Sequence, residues 1–175
     1  ALENLDEEQK ERYTATLSLK GNKPYLFGSD IYANESAGED YDIPGEALAD
    51  PDFAALIAEA EKYLGFPYVW GGSSPSTSFD CSGFVCYVYT HSGVHNLPRT
   101  TAQGIYNQCA HIPMSEAKPG DIIFFTGTYN SPGPVSHVGI YVGNNMMIHC
   151  GSPIQYARTD SSYWSQHFYA IGRLN

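Results

Sequence analysis

Gly71-Gly72-Ser73-Ser74-Pro75-Ser76-Thr77-Ser78-Phe79-Asp80-Cys81-Ser82-Gly83-Phe84-Val85 is the stretch on which the fold turns. Eight turn-forming residues precede Phe79 and Asp80. An apolar helical pattern then begins, with Phe84, Val85, Val88 and Tyr89 on one side. Asp80 suits the N-cap, which puts Cys81 in the first helical turn. Free N–H groups and the positive end of the helix dipole favour an anion there, and a thiolate is such an anion. The reading therefore expects the Cys81 pKa to fall from the usual value of about 8.5 toward neutrality. Cys81 becomes a candidate nucleophile. The plainer alternative is a buried structural cysteine, because free Cys is among the most buried residue types. The N-cap position and the histidines downstream favour the nucleophile.

Outward from this stretch, the chain reads as helices followed by strands. Asp50-Pro51 marks a helix start, with Asp as N-cap and Pro at the first helical position. Phe53, Leu56, Ile57, Ala60 and Leu64 form its core-facing stripe, and Gly65 suits the C′ position. The Cys81 helix should end near Ser92-Gly93. Thr100 and Gln103 have capping-box spacing and open a short helix to about Cys109. Ile122 to Phe125 reads as a buried strand, and Thr126 to Pro134 as a Gly/Pro-rich loop. Ser136 to Val142 alternates, with Val138, Ile140 and Val142 on one face and His137, Gly139 and Tyr141 on the other. Gly143-Asn144-Asn145 is a hairpin turn, Met146 to Cys150 the return strand, and Phe168 to Leu174 a last strand. This order predicts an α+β fold.

The 175 residues suffice for one domain with a real core. Only 16% are charged, whereas Gly (17), Pro (11) and Tyr (14) are abundant, as in a loop-rich domain with a polar-aromatic surface. The formal charge of −10 argues against nucleic acid and anionic membrane as partners. Residues 1–50 hold 12 acids and 4 bases, net −8; residues 51–175 hold 7 and 5, net −2. The acidity thus belongs to an extension, residues 1–49, ahead of a unit spanning 50–175. No apolar run is long enough to span a membrane and no signal peptide is visible. The start at Ala1, without Met, reads as a fragment or processed product. Cysteines 81, 86, 109 and 150 show no C-x-x-C pair and are all read as thiols.

A cysteine nucleophile needs a base, and the base an orienter. With a three-residue loop at 143–145, odd-numbered residues of both strands share a face. His137 and His149 then point the same way as Gly139, which leaves room for them. The set is Cys81 as nucleophile, His137 as base and His149 holding the second nitrogen of His137. A zinc site from Cys81, His137, His149 and Cys150 is the rival, disfavoured because zinc ligands usually come as closely spaced pairs. No metal and no cofactor are expected. Arg99 and Arg158 read as surface salt bridges rather than substrate ligands.

Six blocks, Tyr68-x-Trp70-Gly71-Gly72, Asp80 to Phe84, Pro98-Arg99-Thr100, Lys118 to Asp121, Ser136 to Tyr141 and His149, together resemble the NlpC/P60 family of cell-wall peptidases over about residues 52–173. The resemblance implies a papain-like fold, with the cysteine helix packed on a central antiparallel sheet that carries the histidine. It implies a secreted or wall-associated thiol peptidase, cleaving between γ-D-glutamate and the diamino acid of peptidoglycan stem peptides. It places the family's cysteine on Cys81, its histidine on His137, its third polar residue on His149 and its motif tyrosine, near the oxyanion position, on Tyr68. Ser82 is expected to line the site. A monomer is expected. A wall-binding module without activity and another thiol acyl-transfer enzyme on the same fold are the alternatives. The resemblance assigns no role to residues 1–49. Their apolar anchors Leu26, Phe27, Ile31, Tyr32, Tyr41 and Ile43 suggest a strap over the domain near the Asp50-Pro51 helix, away from Cys81. A lid over the site is the other possibility.

Overall fold

The computed structural model describes residues 41–174. In chain order these form α1 (Gly45–Leu48), α2 (Pro51–Glu61), β1 (Ser73–Ser74), β2 (Ser78–Phe79), α3 (Cys81–His91), α4 (Ala102–Tyr106), β3 (Ala110–Ile112), a 3₁₀ turn (Met114–Glu116), β4 (Ile122–Thr126), β5 (Val135–Gly143), β6 (Met146–Cys150), β7 (Ile154–Arg158), α5 (Ser162–His167) and β8 (Phe168–Arg173). Six strands make one antiparallel sheet in the order β3-β8-β4-β5-β6-β7. Helix α3 packs on β5 and β6. This is an α+β, papain-like arrangement.

Local chemistry sets the two long helices. The Asp50 carboxylate accepts the Asp52 N–H at 3.0 Å, with Pro51 at the first position of α2. Phe53, Leu56, Ile57 and Ala60 are buried as their spacing requires, but α2 ends at Glu61 with Lys62 as C-cap, so Leu64 lies beyond it and Gly65, with φ +91°, is not the C′ residue. Helix α3 buries Phe84, Val85, Val88 and Tyr89 and ends at His91. These side chains meet Val138, Ile140 and Ile148 in the main core. A smaller cluster covers the other sheet face with Ile123, Phe125, Met147, Trp164 and Ile171. Both faces of the central strands are therefore dry, and β5 is buried from Val135 to Val142.

The β5–β6 turn decides which side chains share a face. Asn144 and Asn145 adopt positive φ (54° and 58°) in a two-residue turn, as a tight hairpin requires. Extended unshifted from the Gly143↔Met146 pair, that register would set Cys150 opposite Gly139. A bulge between Tyr141 and Gly143 shifts it, so Gly139 pairs with His149 and Tyr141 with Met147. The odd-numbered residues do share a face, by a two-residue turn plus a bulge rather than a three-residue loop.

The structure corrects several expected boundaries. Helix α4 is capped by Thr101, whose hydroxyl accepts the Gly104 N–H at 3.0 Å, one residue beyond the expected Thr100. Gln103 instead bridges two elements: its Oε1 accepts the Val135 N–H at 3.1 Å and its Nε2 donates to Asn107 Oδ1 at 3.1 Å. Strands β3 and β7 and helix α5 have no counterpart in the sequence reading. Of the expected strap anchors, Tyr41 and Ile43 pack on the main core. Tyr41 meets Tyr156 edge-on at 5.5 Å, and its hydroxyl accepts from Asn144 Nδ2 at 3.2 Å, at the hairpin end of β5 and not at Cys81. Leu26, Phe27, Ile31 and Tyr32 lie outside the described residues.

Candidate active site

Asp80 organises the start of α3 through both carboxylate oxygens. Oδ1 accepts from the Gly83 N–H at 2.7 Å and the Ser82 hydroxyl at 3.2 Å. Oδ2 accepts from the Gly71 N–H at 3.1 Å and from Arg99 Nη2 at 2.9 Å. Arg99 Nη1 in turn donates to Ser82 Oγ at 2.7 Å and to the Thr100 carbonyl at 2.9 Å. The Ser82 hydroxyl is thus held between Asp80 and Arg99. Arg99 is the ion-pair partner the sequence suggested, and Arg158 pairs with Asp160 at 2.9 Å.

Cys81 follows directly and is 5% exposed. Its sulfur takes hydrogen bonds from the backbone N–H groups of Val138 and Ser82 and from the Tyr68 hydroxyl. A parallel bridge between Tyr68 and Phe79 holds Tyr68 there. The expected lowering of the thiol pKa does not occur. Burial first, and then the neighbouring Asp80 carboxylate, push it up to about 12 against these three donors. The helix N-terminus does not deliver a free positive end to the thiol, because the capping carboxylate already occupies it.

His137 and His149 are both fully buried and bonded to each other, His137 Nε2 to His149 Nδ1, at 2.9 Å. Val138, whose N–H reaches the Cys81 sulfur, is the next residue after His137. The histidine pair thus lies one residue along β5 from the peptide that bonds the Cys81 sulfur. Trp164 stacks on the His137 ring at 5.1 Å and 25° and meets His149 edge-on. Burial, and secondarily His149, hold the His137 pKa well below the usual 6.5.

The lowered pKa of His137 has a consequence for stability. Unfolded, the imidazole binds a proton near pH 6.5; folded, it does so only at lower pH. Its contribution is fully present above that pH and is lost as pH falls through the folded value. Urea midpoints measured from pH 7.5 downward should therefore decline below about 6.5, and less so in His137→Gln. Identical pH slopes for the two proteins would show that His137 carries none of the linkage.

Cys81 lies in a groove of about 380 Å³. Tyr68, Ser82 and Arg99 line it as well, along with Trp70 and Gln103, to which the sequence reading gave no place in the site, and Tyr129, which it passed over. Trp164 was missed too. Trp70 and Tyr129 sit on loops and Trp164 on a six-residue helix, where no periodicity marks a side chain as inward. The rival zinc set does not assemble. Cys150 points to the main core and donates to the Phe79 carbonyl at 3.2 Å, on the sheet face opposite His149.

A family model described as the NlpC/P60 family matches residues 65–173. The bifunctional muramidase/DL-endopeptidase CwlT of Bacillus subtilis is 45% identical over 123 residues, 70% of this chain and 36% of CwlT. The gamma-DL-glutamyl hydrolase of the same organism is 37% identical over 131 residues, 73% of this chain and 31% of that protein. The chain thus spans about a third of the length of these curated relatives. Among solved structures, an NLP/P60 family protein of Staphylococcus aureus, described as similar to lipoprotein, aligns with a TM-score of 0.69 at 33% identity, covering 95% of this chain and 61% of that one. With the model match spanning well over half the chain, the chain belongs to the NlpC/P60 family.

Proposed function

We propose that this chain is a cysteine endopeptidase of the bacterial cell wall that hydrolyses the bond between γ-D-glutamate and the diamino acid in peptidoglycan stem peptides. The observation that carries the reading is the Cys81 thiol on a groove floor, bonded to the peptide next to a buried His137–His149 pair. Residues 50–175 form the catalytic unit in this reading, and residues 1–49 support it. The enzyme works outside the cell or in the wall, and needs no cofactor.

The resting pair is neutral, a thiol and an unprotonated imidazole, given the two pKa directions. His137 Nε2 is bonded to His149, so Nδ1 is the nitrogen that takes the thiol proton. Nε2 then carries hydrogen and donates to His149 Nδ1, which fixes the ring. As the sulfur attacks the γ-glutamyl carbonyl, the proton passes to His137. The carbonyl oxygen becomes an oxyanion facing the Cys81 backbone N–H and the Tyr68 hydroxyl; one such donor is worth about 3–4 kcal/mol. Collapse expels the diamino acid amine, protonated by His137. Water then hydrolyses the thioester with His137 again as base. Ser82 lines the site and braces Arg99. The D-glutamyl residue also carries an α-carboxylate, and Arg99 is the one cation among the described groove-lining residues.

Digestion of purified peptidoglycan followed by mass analysis tests the reading. New fragments ending in D-glutamate, with new amino termini on the diamino acid, are expected. Cleavage confined to cross-links, or binding without cleavage, overturns it. Activity should survive EDTA and be lost to iodoacetamide; loss to EDTA with recovery on zinc would mean the thiol chemistry is wrongly assigned. The acid limb of kcat/KM should lie below pH 6.5, since the base keeps its free pair to lower pH than an ordinary histidine.

A further inference from the structure

The histidine pair leaves one freedom of the base open. The bond between His137 Nε2 and His149 Nδ1, at 2.9 Å, holds the far end of the His137 ring. The ring turns about its Cβ–Cγ bond, and the torsion about a bond to an sp² ring is broad. Nε2 lies nearer that axis than Nδ1 and points more along it than across it. A given rotation therefore moves the Nδ1 lone pair further than the Nε2 hydrogen. The bond to His149 tolerates a turn that already aims Nδ1 away from Cys81. In the proposed mechanism Nδ1 takes the thiol proton, so something must also fix the plane of the ring.

Trp164 supplies the flat contact. Its indole stacks on the His137 ring at 5.1 Å and 25° and meets His149 edge-on at 5.1 Å and 81°. The two imidazoles stand at 83° to each other, so one indole packs on both. Turning the His137 ring would drive its edge into the indole. Trp164 is itself held. It is 4% exposed, and Phe125 and Tyr163 meet it at 4.7 Å and 4.9 Å. Ser161 caps α5 by accepting the Trp164 backbone N–H at 3.4 Å. At the other end His167 Nδ1 donates to the Thr126 carbonyl at 2.8 Å, which ties α5 to β4.

We infer that Trp164 is a positioning residue for the Cys81 chemistry, fixing the plane of the His137 ring so that Nδ1 stays aimed at the thiol. The inference rests on the proposed roles of Cys81 and His137, not on which peptide bond is cut. Trp164 moves no proton and acts through His137, as a locked neighbour that locks a reacting group. It also keeps water from the pair. The titratable groups around His137 are His149 on β6, Cys81 at the start of α3, Tyr68 beside that sulfur and Tyr163 on α5, with His167 beyond Tyr163. The residues paired opposite the two histidines, Phe125 on β4 and Gln155 on β7, carry no charge. Burial is the main cause of the depressed His137 pKa, and His149 the second.

The test compares Trp164→Phe, which keeps a flat ring, with Trp164→Leu, which keeps apolar bulk without a plane. Both remove core volume, so both should lower Tm, and turnover tells them apart. On a stem peptide, Trp164→Leu should lose about 10²-fold in kcat, the cost of a misaimed group, with KM little changed. Trp164→Phe should stay within about tenfold of the unsubstituted chain. The acid limb of kcat/KM should rise toward 6.5 in Trp164→Leu, because the space left beside two imidazoles is polar enough to take water. It should hardly move in Trp164→Phe. Alkylation of Cys81 by iodoacetamide near neutral pH, followed by mass analysis of its peptide, needs no substrate. It should slow in Trp164→Leu and stay close to the unsubstituted rate in Trp164→Phe. If Trp164→Leu does not fold, Trp164→Met takes its place, since Met fills irregular space without a flat face. Equal kcat in the ring-keeping and ring-less variants at a temperature where both are folded, or a loss carried by KM, overturns the inference and leaves the endopeptidase reading standing. An unsubstituted chain that is inactive on stem peptides, with Cys81 alkylated in the stated order, overturns the endopeptidase reading and supports the inference.

Discussion

Cys81→Ala and His137→Ala are each expected to lower stem-peptide turnover by about 10⁵-fold or more while leaving the domain folded, because nucleophile and base act as one unit. The fold should tolerate the first change. It removes one sulfur and the bonds it takes from the Val138 and Ser82 N–H groups and the Tyr68 hydroxyl, a loss of about 1 kcal/mol for each bond. The second opens a hole beneath Trp164 and costs more, yet the His137 ring is one element of a sheet face also held by Ile123, Phe125 and Met147. His149→Ala should be milder by about 10- to 100-fold, since an orienter moves no proton to substrate. It should also leave a signature in pH. His149 contributes to the depression of the His137 pKa, so its removal should move the acid limb of kcat/KM upward toward 6.5. Circular dichroism establishes the fold, and a stem-peptide assay across pH reads the rest. Near-normal turnover in Cys81→Ala or His137→Ala would end the assignment. A His149 variant as inactive as the His137 variant would mean the two roles are reversed.

Much of this was legible because the signals are local. Asp80 and Asp50 announce their helices through one side chain and the next few N–H groups. The apolar stripes of α2 and α3 follow from a period of 3.6, and the pairing of His137 with His149 from a period of 2. Even there the sequence supported the right parity for an incomplete reason, because a bulge at Gly143 is a tertiary choice among registers. What escaped notice depends on neighbours distant in the chain. Strand β7 pairs with β6 across a short turn and buries the polar Gln155 among apolar residues, which hides its alternation. Tyr129 and Trp164 acquire meaning only from Trp70 and His137. The thiol misled for the same reason. A helix start implies a stabilised anion, but burial and the capping carboxylate act in the other direction and outweigh it.

Gly83→Ala is the substitution whose sign separates helix propensity from packing. In an exposed helix the change would stabilise by about 1 kcal/mol. Here the added Cβ falls on the carbonyl oxygen of Gly72, far inside contact distance. That carbonyl also accepts the Asp80 N–H at 3.0 Å and receives Arg99 Nη2 at 3.5 Å. It is backbone on a segment tied down at several points, so it has little room to yield. Gly72 itself is confined, since a Cβ there would come within 2.5 Å of the Ser78 carbonyl. The two glycines let the segment carrying Tyr68 and Trp70 lie directly on the first turn of α3, and so place Tyr68 against Cys81. Gly83→Ala should therefore destabilise by about 3 kcal/mol or more, with a fall in Tm of about 6–12 °C. Turnover of the folded fraction should fall as well, because any movement that relieves the clash separates Tyr68 from the sulfur. Thermal unfolding and kcat measured well below Tm give the two readouts. An unchanged or raised Tm with normal kcat would show that Gly83 is there for no packing reason, and that the approach of Gly72 to α3 does not hold the site together.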